Sequence, residues 1–355
     1  MNRRMERVRG GLGVCAALCG LGLAAATVSQ DGARLTIDVP AGETRTLTAD
    51  DVAAFGARPL VKTGLGTLVA GAEMADFPGD ILVRAGQYKA THAGAFGTAA
   101  GVTYVDGGTI WSTVEASVTW TNEGGLPAYG DERFCLRGAG FDGKGAVYQS
   151  DRDCLNFAGR GGIVFEGPVR LGGTRTLEFR YGFVDFNQCP LTVAQTGNAA
   201  FRLVELGVTG FRSVDVESGY FGLESGTGAD KTTAANAITV HDAAGFWLNS
   251  TKAYDPRALV FGKGTTFRVG GNAATIEPGP LTGVDGWSGP ISFADDLAIR
   301  FDARGKPLNL AGPVSGAGGL RVTGGGYLQL NNPGNSFVGG LSVQGVTAAG
   351  SDELN

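Results

Sequence analysis

The chain has little of what catalytic and metal sites are usually made from. Its 355 residues include two histidines, His92 and His241, and five cysteines, with no Cys-x-x-Cys or His-x-x-x-His spacing. Local sequence therefore defines no closed zinc site, and we expect neither a metal nor a cofactor. The nucleophile motif Gly-x-Ser-x-Gly is also absent, so an acyl-transfer triad around His241 has no support.

Charge is scarce as well. Charged residues make up 18% of the chain, the net charge is −5, and no basic patch stands out beyond Arg9. Nucleic acid is therefore not an expected partner. With 43% apolar residues the chain can bury a large core, which argues against disorder. Its 61 glycines follow no three-residue period, which excludes collagen and indicates many turns.

The segment from Met1 to Ala26 has the features of a cleaved export signal. Arg3, Arg4, Arg7 and Arg9 precede an apolar run from Gly11 to Ala26, which ends in three alanines. Signal peptidase accepts such small residues. The run is short for a bilayer span of about 20 residues, so an uncleaved anchor is the lesser alternative. We therefore expect a secreted or cell-surface protein that meets the membrane only during export.

After the signal, apolar residues recur with a period of two, as in half-buried strands. Clear examples are Leu177, Phe179 and Tyr181, which alternate with Glu178 and Arg180, and Leu297, Ile299 and Phe301, which alternate with Ala298, Arg300 and Asp302. Breaks rich in Gly and Asn separate the strands and favour tight turns. Asp50 to Phe55 could form a single helical turn, and no longer helix is indicated.

Two segments near opposite ends of the chain, both after the predicted signal, have similar sequences and form an internal repeat. Thr63-Gly64-Leu65-Gly66-Thr67-Leu68 returns near the other end as Thr323-Gly324-Gly325-Gly326-Tyr327-Leu328. The same offset continues without a gap through Phe77 and Phe337 to Val83 and Val343. Each copy spans about sixty residues, a size typical of a repeating structural unit.

These residues resemble the autotransporter-associated β-strand repeat of passenger domains. The resemblance lies in Lys62-Thr63-Gly64-Leu65-Gly66-Thr67-Leu68 with Phe77-Pro78-Gly79-Asp80-Ile81, and in the second copy with Phe337-Val338-Gly339-Gly340-Leu341. The chain departs from the family pattern at three positions, with Asp80 in place of Gly, Val322 in place of Lys and Tyr327 in place of Thr. The resemblance implies a surface or secreted protein with a right-handed parallel β-helix, and it names no catalytic residue.

The strand pattern independently favours an all-β, right-handed parallel β-helix, a solenoid whose coils of about 20 to 25 residues bury their inner faces by stacking. About 15 coils would then form a rod of roughly 70 Å at ~4.8 Å per coil. Tandem antiparallel β-sandwiches are the alternative. Because no cap is visible before Asn355, the chain could be a truncated or uncapped passenger. We divide it into the signal peptide (1–26), a first repeat module (27–98), central coils (99–290) and a second repeat module (291–355).

Three local patterns could carry chemistry. Gly138-x4-Gly143-Lys144 approaches a phosphate-binding loop, but Gly145 replaces the magnesium ligand and a strand follows, which favours a turn. Asp151 with Asp153, and Asp215 with Glu217, each place two carboxylates on one face of a strand, as calcium-dependent or glycoside-cleaving enzymes can use. A solvated outer face explains these pairs more simply.

Cys135 and Cys154 form a candidate disulfide. Their separation in the sequence is close to the length of one coil, so they could stack in adjacent coils at a Cα separation of ~5 Å. Cys189 would be left over. Three buried thiols, used as small apolar residues, are the equal alternative.

Two functions remain open from the sequence. The first is a non-catalytic extracellular scaffold or passenger that contacts a cell-surface or extracellular polysaccharide or protein, as in adhesion. The alternative is a polysaccharide lyase or glycoside hydrolase on a β-helix, which would need a groove lined by acids, bases and aromatics. Trp247, Tyr254 and Asp255 are the first residues to inspect for such a groove.

Overall fold

Alternating apolar residues form short strands that stack in parallel coils. The computed structural model describes residues 26–30, 33–114, 128–157, 160–224, 228–229, 237–249, 257–270, 286–303 and 305–344. About half of the chain is strand, and the coils form a β-solenoid of about 11 turns. The all-β solenoid predicted from the sequence is therefore confirmed. Residues 1–25, with most of the predicted signal, lie outside the described residues.

The described strands run in chain order as follows: β1 (Thr27–Gln30), β2 (Leu35–Asp38), β3 (Thr44–Thr46), β4 (Leu60–Thr63), β5 (Thr67–Ala70), β6 (Ile81–Val83), β7 (Gln87–Ala90), β8 (Val102–Asp106), β9 (Thr109–Ser112), β10 (Arg133–Gly138), β11 (Val147–Gln149), β12 (Ile163–Gly173), β13 (Leu177–Arg180), β14 (Phe183–Asp185), β15 (Leu191–Gln195), β16 (Ala200–Val204), β17 (Gly207–Thr209), β18 (Val214–Ser218), β19 (Tyr220–Glu224), β20 (Gly228–Ala229), β21 (Ala237–Val240), β22 (Gly245–Asn249), β23 (Ala258–Phe261), β24 (Thr266–Val269), β25 (Gly286–Trp287), β26 (Ile291–Phe293), β27 (Leu297–Phe301), β28 (Pro307–Leu310), β29 (Val314–Gly316), β30 (Leu320–Thr323), β31 (Tyr327–Leu330), β32 (Ser336–Phe337) and β33 (Leu341–Gln344).

The strands form one sheet of 22 strands, one of eight and one of three. The eight-stranded sheet runs β13-β16-β19-β22-β24-β27-β30-β33. Among the described strands, β1 pairs antiparallel with β2 and the other pairs are parallel, as between β16 and β19. Parallel stacking of the described strands from β2 onward rules out the alternative of tandem antiparallel sandwiches.

Inward side chains of equivalent strands stack into ladders that form the core. In the eight-stranded sheet Phe201, Phe221, Phe246 and Phe267 occupy successive rungs, and the centroids of neighbouring rings lie 6.0, 6.2 and 5.4 Å apart. All four are fully buried. Burying one such side chain contributes about 1.5 to 3 kcal/mol, so these ladders hold the coils together.

The coil count predicted from the sequence was too high. The structure has about 11 turns, because several coils are longer than the assumed length of about 20 to 25 residues. One coil runs from Phe201 to Phe221, whereas the coil from Phe267 to Ile299 is longer by more than half. The extra residues of these longer coils account for the difference in the number of coils.

The two repeat copies have the same strand pairing. Leu60 pairs with Ile81, and Leu320 pairs with Leu341, which preserves the offset between the copies. The turn after the first strand of each copy contains a glycine with positive φ, +71° at Gly64 and +90° at Gly324. An L side chain rarely adopts that conformation, so the repeated glycine has a backbone cause.

Lys62, the lysine of the first copy, points into the core. It stacks between Ile37 and Val83 and is fully buried. Its Nζ donates hydrogen bonds to three turn carbonyls, those of Thr63 (2.6 Å), Gly64 (2.8 Å) and Ala85 (3.0 Å). The apolar stem thus fills the core while the ammonium binds the turn. Val322 takes the same inward position in the second copy.

One α-helix, α1 (Ala49–Phe55), interrupts the strands near the start, where the sequence indicates a helical turn. Thr48 accepts a hydrogen bond from the Asp51 backbone N–H (3.2 Å), and the Asp51 carboxylate accepts one from the Thr48 backbone N–H (2.9 Å). This capping box fixes the start of the helix. Within the described residues no helix is long and apolar enough to cross a membrane.

Candidate functional site

The outward face of the eight-stranded sheet gathers charged and aromatic side chains. One outward row runs through Glu178, Arg202, Gly222, Trp247 and Arg268 on successive coils. With two residues of the adjacent row it forms a group that we call the arginine–tryptophan cluster: Glu178, Arg180, Arg202, Glu224, Trp247 and Arg268.

The carboxylates of the cluster are bound by its arginines. Glu178 Oε2 accepts hydrogen bonds from Arg180 Nε (3.1 Å) and Nη2 (2.9 Å), and Glu178 Oε1 forms an ion pair with Arg202. Arg202 also donates to Glu224 Oε1 (2.6 Å), and Asn249 Nδ2 donates to Glu224 Oε2 (3.1 Å). The two carboxylates are thus bridged by one guanidinium and have further donors on their other sides.

The indole ring of Trp247 contacts two arginines of the cluster. The guanidinium carbon of Arg202 lies 4.4 Å from the centroid of the indole ring, and that of Arg268 lies 4.6 Å away. Arg268 in turn donates two hydrogen bonds to Asp302 Oδ2, at 3.1 and 2.9 Å. Such cation–π contacts are stronger where water is excluded.

Burial dominates the electrostatics at Glu178. The side chain has 0% exposure, and this burial raises the pKa of its carboxyl, while the guanidinium groups of Arg202 and Arg180 offset part of the shift. An enclosed carboxylate between two guanidinium groups cannot approach an external substrate. The cluster therefore has the acids, bases and aromatic ring of a catalytic groove, but they are bound to one another.

The sequence pointed to only part of this cluster. Trp247 was singled out and lies at its centre, whereas Tyr254 and Asp255 lie outside the described residues. Glu178 and Arg180 alternate with the core residues Leu177 and Phe179, as predicted, but all four residues of β13 are buried. The alternating sequence of β13 predicts whether each side chain points inward or outward. It does not predict which other residues cover the outward side chains.

The carboxylates of β18 contact basic side chains on other coils. Asp215 and Glu217 project outward, since Val214 and Val216 beside them are buried in the core. His241 Nε2 lies 3.3 Å from Asp215 Oδ1, with both side chains about half exposed. Arg170 donates to Glu217 Oε2 at 2.6 Å.

The other acidic pair lies in a turn. Asp153 Oδ1 accepts a hydrogen bond from the Thr176 backbone N–H at 2.8 Å, and Asp151 has a positive φ of 72°, which favours a turn over a strand. The prediction that this pair shares one face of a strand is therefore wrong. Within the described part of the chain no group of three or more His, Cys, Asp and Glu residues could hold a metal ion.

The Gly138-x4-Gly143-Lys144 segment is a turn between two strands. β10 ends at Gly138, a 3-10 turn covers Phe141–Gly143, and β11 follows. No α-helix begins after this loop, so the arrangement that cradles phosphate in nucleotide-binding proteins is not present here. The turn interpretation made from the sequence is confirmed.

The structure does not bring Cys135 and Cys154 together, and neither of them forms a disulfide. The ladder neighbours of Cys135 are Tyr104 and Val164, whereas Cys154 forms a bridge with Leu177. The coil that begins at Phe134 returns only at Ile163, well past Cys154. Cys154 therefore lies part-way round this coil, beside the eight-stranded sheet, and is not stacked on Cys135. Cys189 likewise forms no disulfide.

A shallow groove of about 420 Å³ crosses the outward face of the large sheet near the start of the solenoid. It is lined by Ala33, Arg34, Pro59, Val61, Asp80, Leu82 and Tyr104. Val61, Leu82 and Tyr104 are ladder neighbours on successive coils. The groove has an apolar floor, and Asp80, the one acid of its lining, accepts a hydrogen bond from the Val102 backbone N–H at 3.0 Å. The groove therefore lacks the paired acids of a catalytic candidate.

Comparison of the chain with protein families, curated proteins and solved structures finds no match.

Proposed function

We propose that the protein is a non-catalytic scaffold outside the cytoplasm whose regular outer face contacts a polysaccharide or protein. A solenoid repeats the same outward positions coil after coil, so a polymer can make many weak contacts along it. The resemblance to the autotransporter-associated repeat and the signal-like residues 1–26 support a place on the cell surface or in the secreted fraction, as in adhesion.

The observation that carries the proposal is the pairing within the arginine–tryptophan cluster. This cluster is where the described outer face comes closest to a catalytic constellation. Yet Glu178 is enclosed, and Arg202 bridges it to Glu224. Catalytic acids and bases must be within reach of the substrate and hold matched roles, and these groups instead neutralise each other. The arrangement stabilises the wall of the solenoid.

One observation favours the alternative, a polysaccharide lyase or glycoside hydrolase. Asp215 and His241 lie 3.3 Å apart, half exposed, on the outer face. A carboxylate that contacts an accessible imidazole is a recurrent acid–base arrangement. No other acid or base among the described residues contacts this pair in a way that would complete a site.

The two functions are separated by a product assay. The purified chain without residues 1–26 is incubated with acidic and neutral polysaccharides, with and without calcium, and new reducing ends and unsaturated products are measured. We expect retention of the protein on polymer or cells and no product. Turnover that is lost in Asp215→Asn or His241→Gln, but kept in the matched variant Asp242→Asn, would place the protein among the enzymes.

A further inference from the structure

A second group of side chains crosses the outward face of the 22-stranded sheet. Lys89, Trp111 and Tyr148 are ladder neighbours on three successive coils, and Lys144 lies in the turn before Tyr148. We call these four residues the lysine–aromatic row. Trp111 and Tyr148 are half-buried, and Lys144 is exposed.

The contacts within the row fix its geometry. The Nζ atom of Lys89 lies 4.1 Å from the centroid of the Trp111 ring, and that of Lys144 lies 5.8 Å from the Tyr148 ring. The indole Nε1 of Trp111 donates a hydrogen bond to Ser150 Oγ at 2.6 Å, which orients the ring. The row therefore has a cation at each end and two aromatic rings between them.

The lysines of the row differ from the arginines of the outer surface that form ion pairs. Arg137 is paired with Asp106, Arg170 with Glu217, and Arg268 with Asp302. Neither Lys89 nor Lys144 has a carboxylate within ion-pair distance in the described part of the chain. The row is a place where positive charge is left uncompensated beside aromatic surface.

The two aromatic residues of the row lie on consecutive coils. The ladder neighbour of Tyr148 on the next coil is Gly172, which is buried and packs against the Lys144 backbone. Coils repeat every ~4.8 Å, which is close to the length of one pyranose unit in an extended chain. Two rings on adjacent coils can thus meet consecutive sugars.

We infer that the lysine–aromatic row binds a short segment of an acidic polysaccharide. The C–H faces of the sugars pack on Trp111 and Tyr148, and the ammonium groups of Lys89 and Lys144 bind the carboxylate or sulfate substituents. This inference rests on the proposed function, for which it names the ligand class and the site. Nucleic acid fits less well, because its backbone needs a continuous basic surface, whereas the chain carries a net charge of −5.

Affinity electrophoresis tests the inference. The chain without residues 1–26 is run through gels that contain polygalacturonate, dextran as the neutral polymer, or oligodeoxythymidylate as the nucleic acid. The variants are Tyr148→Ala and the double substitution Lys89→Gln with Lys144→Gln. Lys263→Gln changes another exposed lysine, and Tyr327→Ala changes a tyrosine that is 52% exposed, so these two serve as matched controls. Circular dichroism verifies that each variant is folded.

We expect the wild-type protein to be retarded by polygalacturonate but not by dextran, with retardation that weakens as salt is added. The double lysine variant should bind at least tenfold more weakly, and Tyr148→Ala should also lose affinity, while both controls keep it. Because the lysine substitutions change surface charge only, they test the site even if Tyr148→Ala fails to fold.

Several results would overturn the inference: no retardation of the wild type, equal retardation by dextran, stronger retardation by the oligonucleotide, or unchanged binding in the double lysine variant. If the wild type binds polygalacturonate and the variants bind equally, the site is wrong and the proposed scaffold function stands. If the recovered polymer is shortened, the proposed function itself fails, whichever variants still bind.

Discussion

Arg202 packs over Gly222, its ladder neighbour on the next coil. A Cβ atom added at Gly222 would lie 2.8 Å from Cγ of Arg202. The missing side chain leaves the space through which Arg202 reaches both Glu224 and the Trp247 ring. The arginine–tryptophan cluster thus depends on a glycine that makes none of its polar contacts.

Gly222→Ala should therefore lower the free energy of unfolding by about 1 to 3 kcal/mol, because the methyl group forces the stem of Arg202 to move. Gly207→Ala is the matched control, since its Cβ would meet one atom, Cβ of Phe183, at an ordinary 3.9 Å. Urea unfolding followed by far-UV circular dichroism compares the two variants. Equal stability would show that Arg202 does not need the space over Gly222.

Glu132 makes the stability of the protein depend on pH. Its side chain is 2% exposed, its Oε1 accepts a hydrogen bond from Thr103 Oγ1 at 2.9 Å, and its buried Oε2 has no hydrogen-bond partner in the described structure. Burial raises the pKa of this carboxyl to about 8. The folded protein therefore holds a proton there at neutral pH.

The unfolded chain loses that proton near its ordinary pKa of about 4.5, so the stabilising contribution is present below pH 4.5 and is lost as pH rises to about 8. Glu132→Gln keeps the shape without the titration. From pH 5 to pH 9 the wild type should lose about 2 to 4 kcal/mol of its free energy of unfolding relative to Glu132→Gln. A difference that is constant over this range would contradict the account.

Lys62 makes the free energy of unfolding rise with pH, the opposite of the effect of Glu132, and it does so at higher pH. Burial lowers the pKa of its ammonium to about 8, an effect that Asp38 partly offsets. Between pH 8 and 10.5 the unfolded chain binds more protons than the folded one, so the stability of the wild type rises with pH in this window. Relative to Lys62→Met, the wild type should gain about 1 to 3 kcal/mol from pH 8 to 10. Parallel pH curves for the two proteins would show that the ammonium is not desolvated.

The cysteines give a direct count. In denaturant without reductant, the chain lacking residues 1–26 should show three reactive thiols, because none of Cys135, Cys154 and Cys189 forms a disulfide. In native buffer at pH 8 the Cys135 thiol should react slowly, since burial raises its pKa to about 11. A count of one would instead reveal a bridge between Cys135 and Cys154.

The sequence predicts whether a side chain points inward or outward better than it predicts which residues that side chain contacts. The alternation of Leu297, Ile299 and Phe301 indicated their inward positions correctly, because a strand sends successive side chains to opposite faces. The repeat likewise identified equivalent strands at the two ends. Both signals can be seen in the sequence without knowledge of which coils are neighbours.

Contacts between coils depend on coil length, which local sequence does not reveal. Lys89 meets Trp111 after a coil of ordinary length, whereas the coil from Trp111 to Tyr148 is much longer. Because each insertion shifts every later partner, a spacing alone could neither pair Cys135 correctly nor place two aromatic residues side by side.

The central claim, a solenoid that binds a polymer without changing it, is tested most directly by analysing polymer that has been bound. Polygalacturonate of narrow length distribution is co-sedimented with cross-linked aggregates of the chain without residues 1–26, eluted with salt, and sized by chromatography. The account predicts that polymer pellets with the protein and elutes with its length distribution unchanged. Polymer that stays in the supernatant, or that elutes shortened, would contradict it.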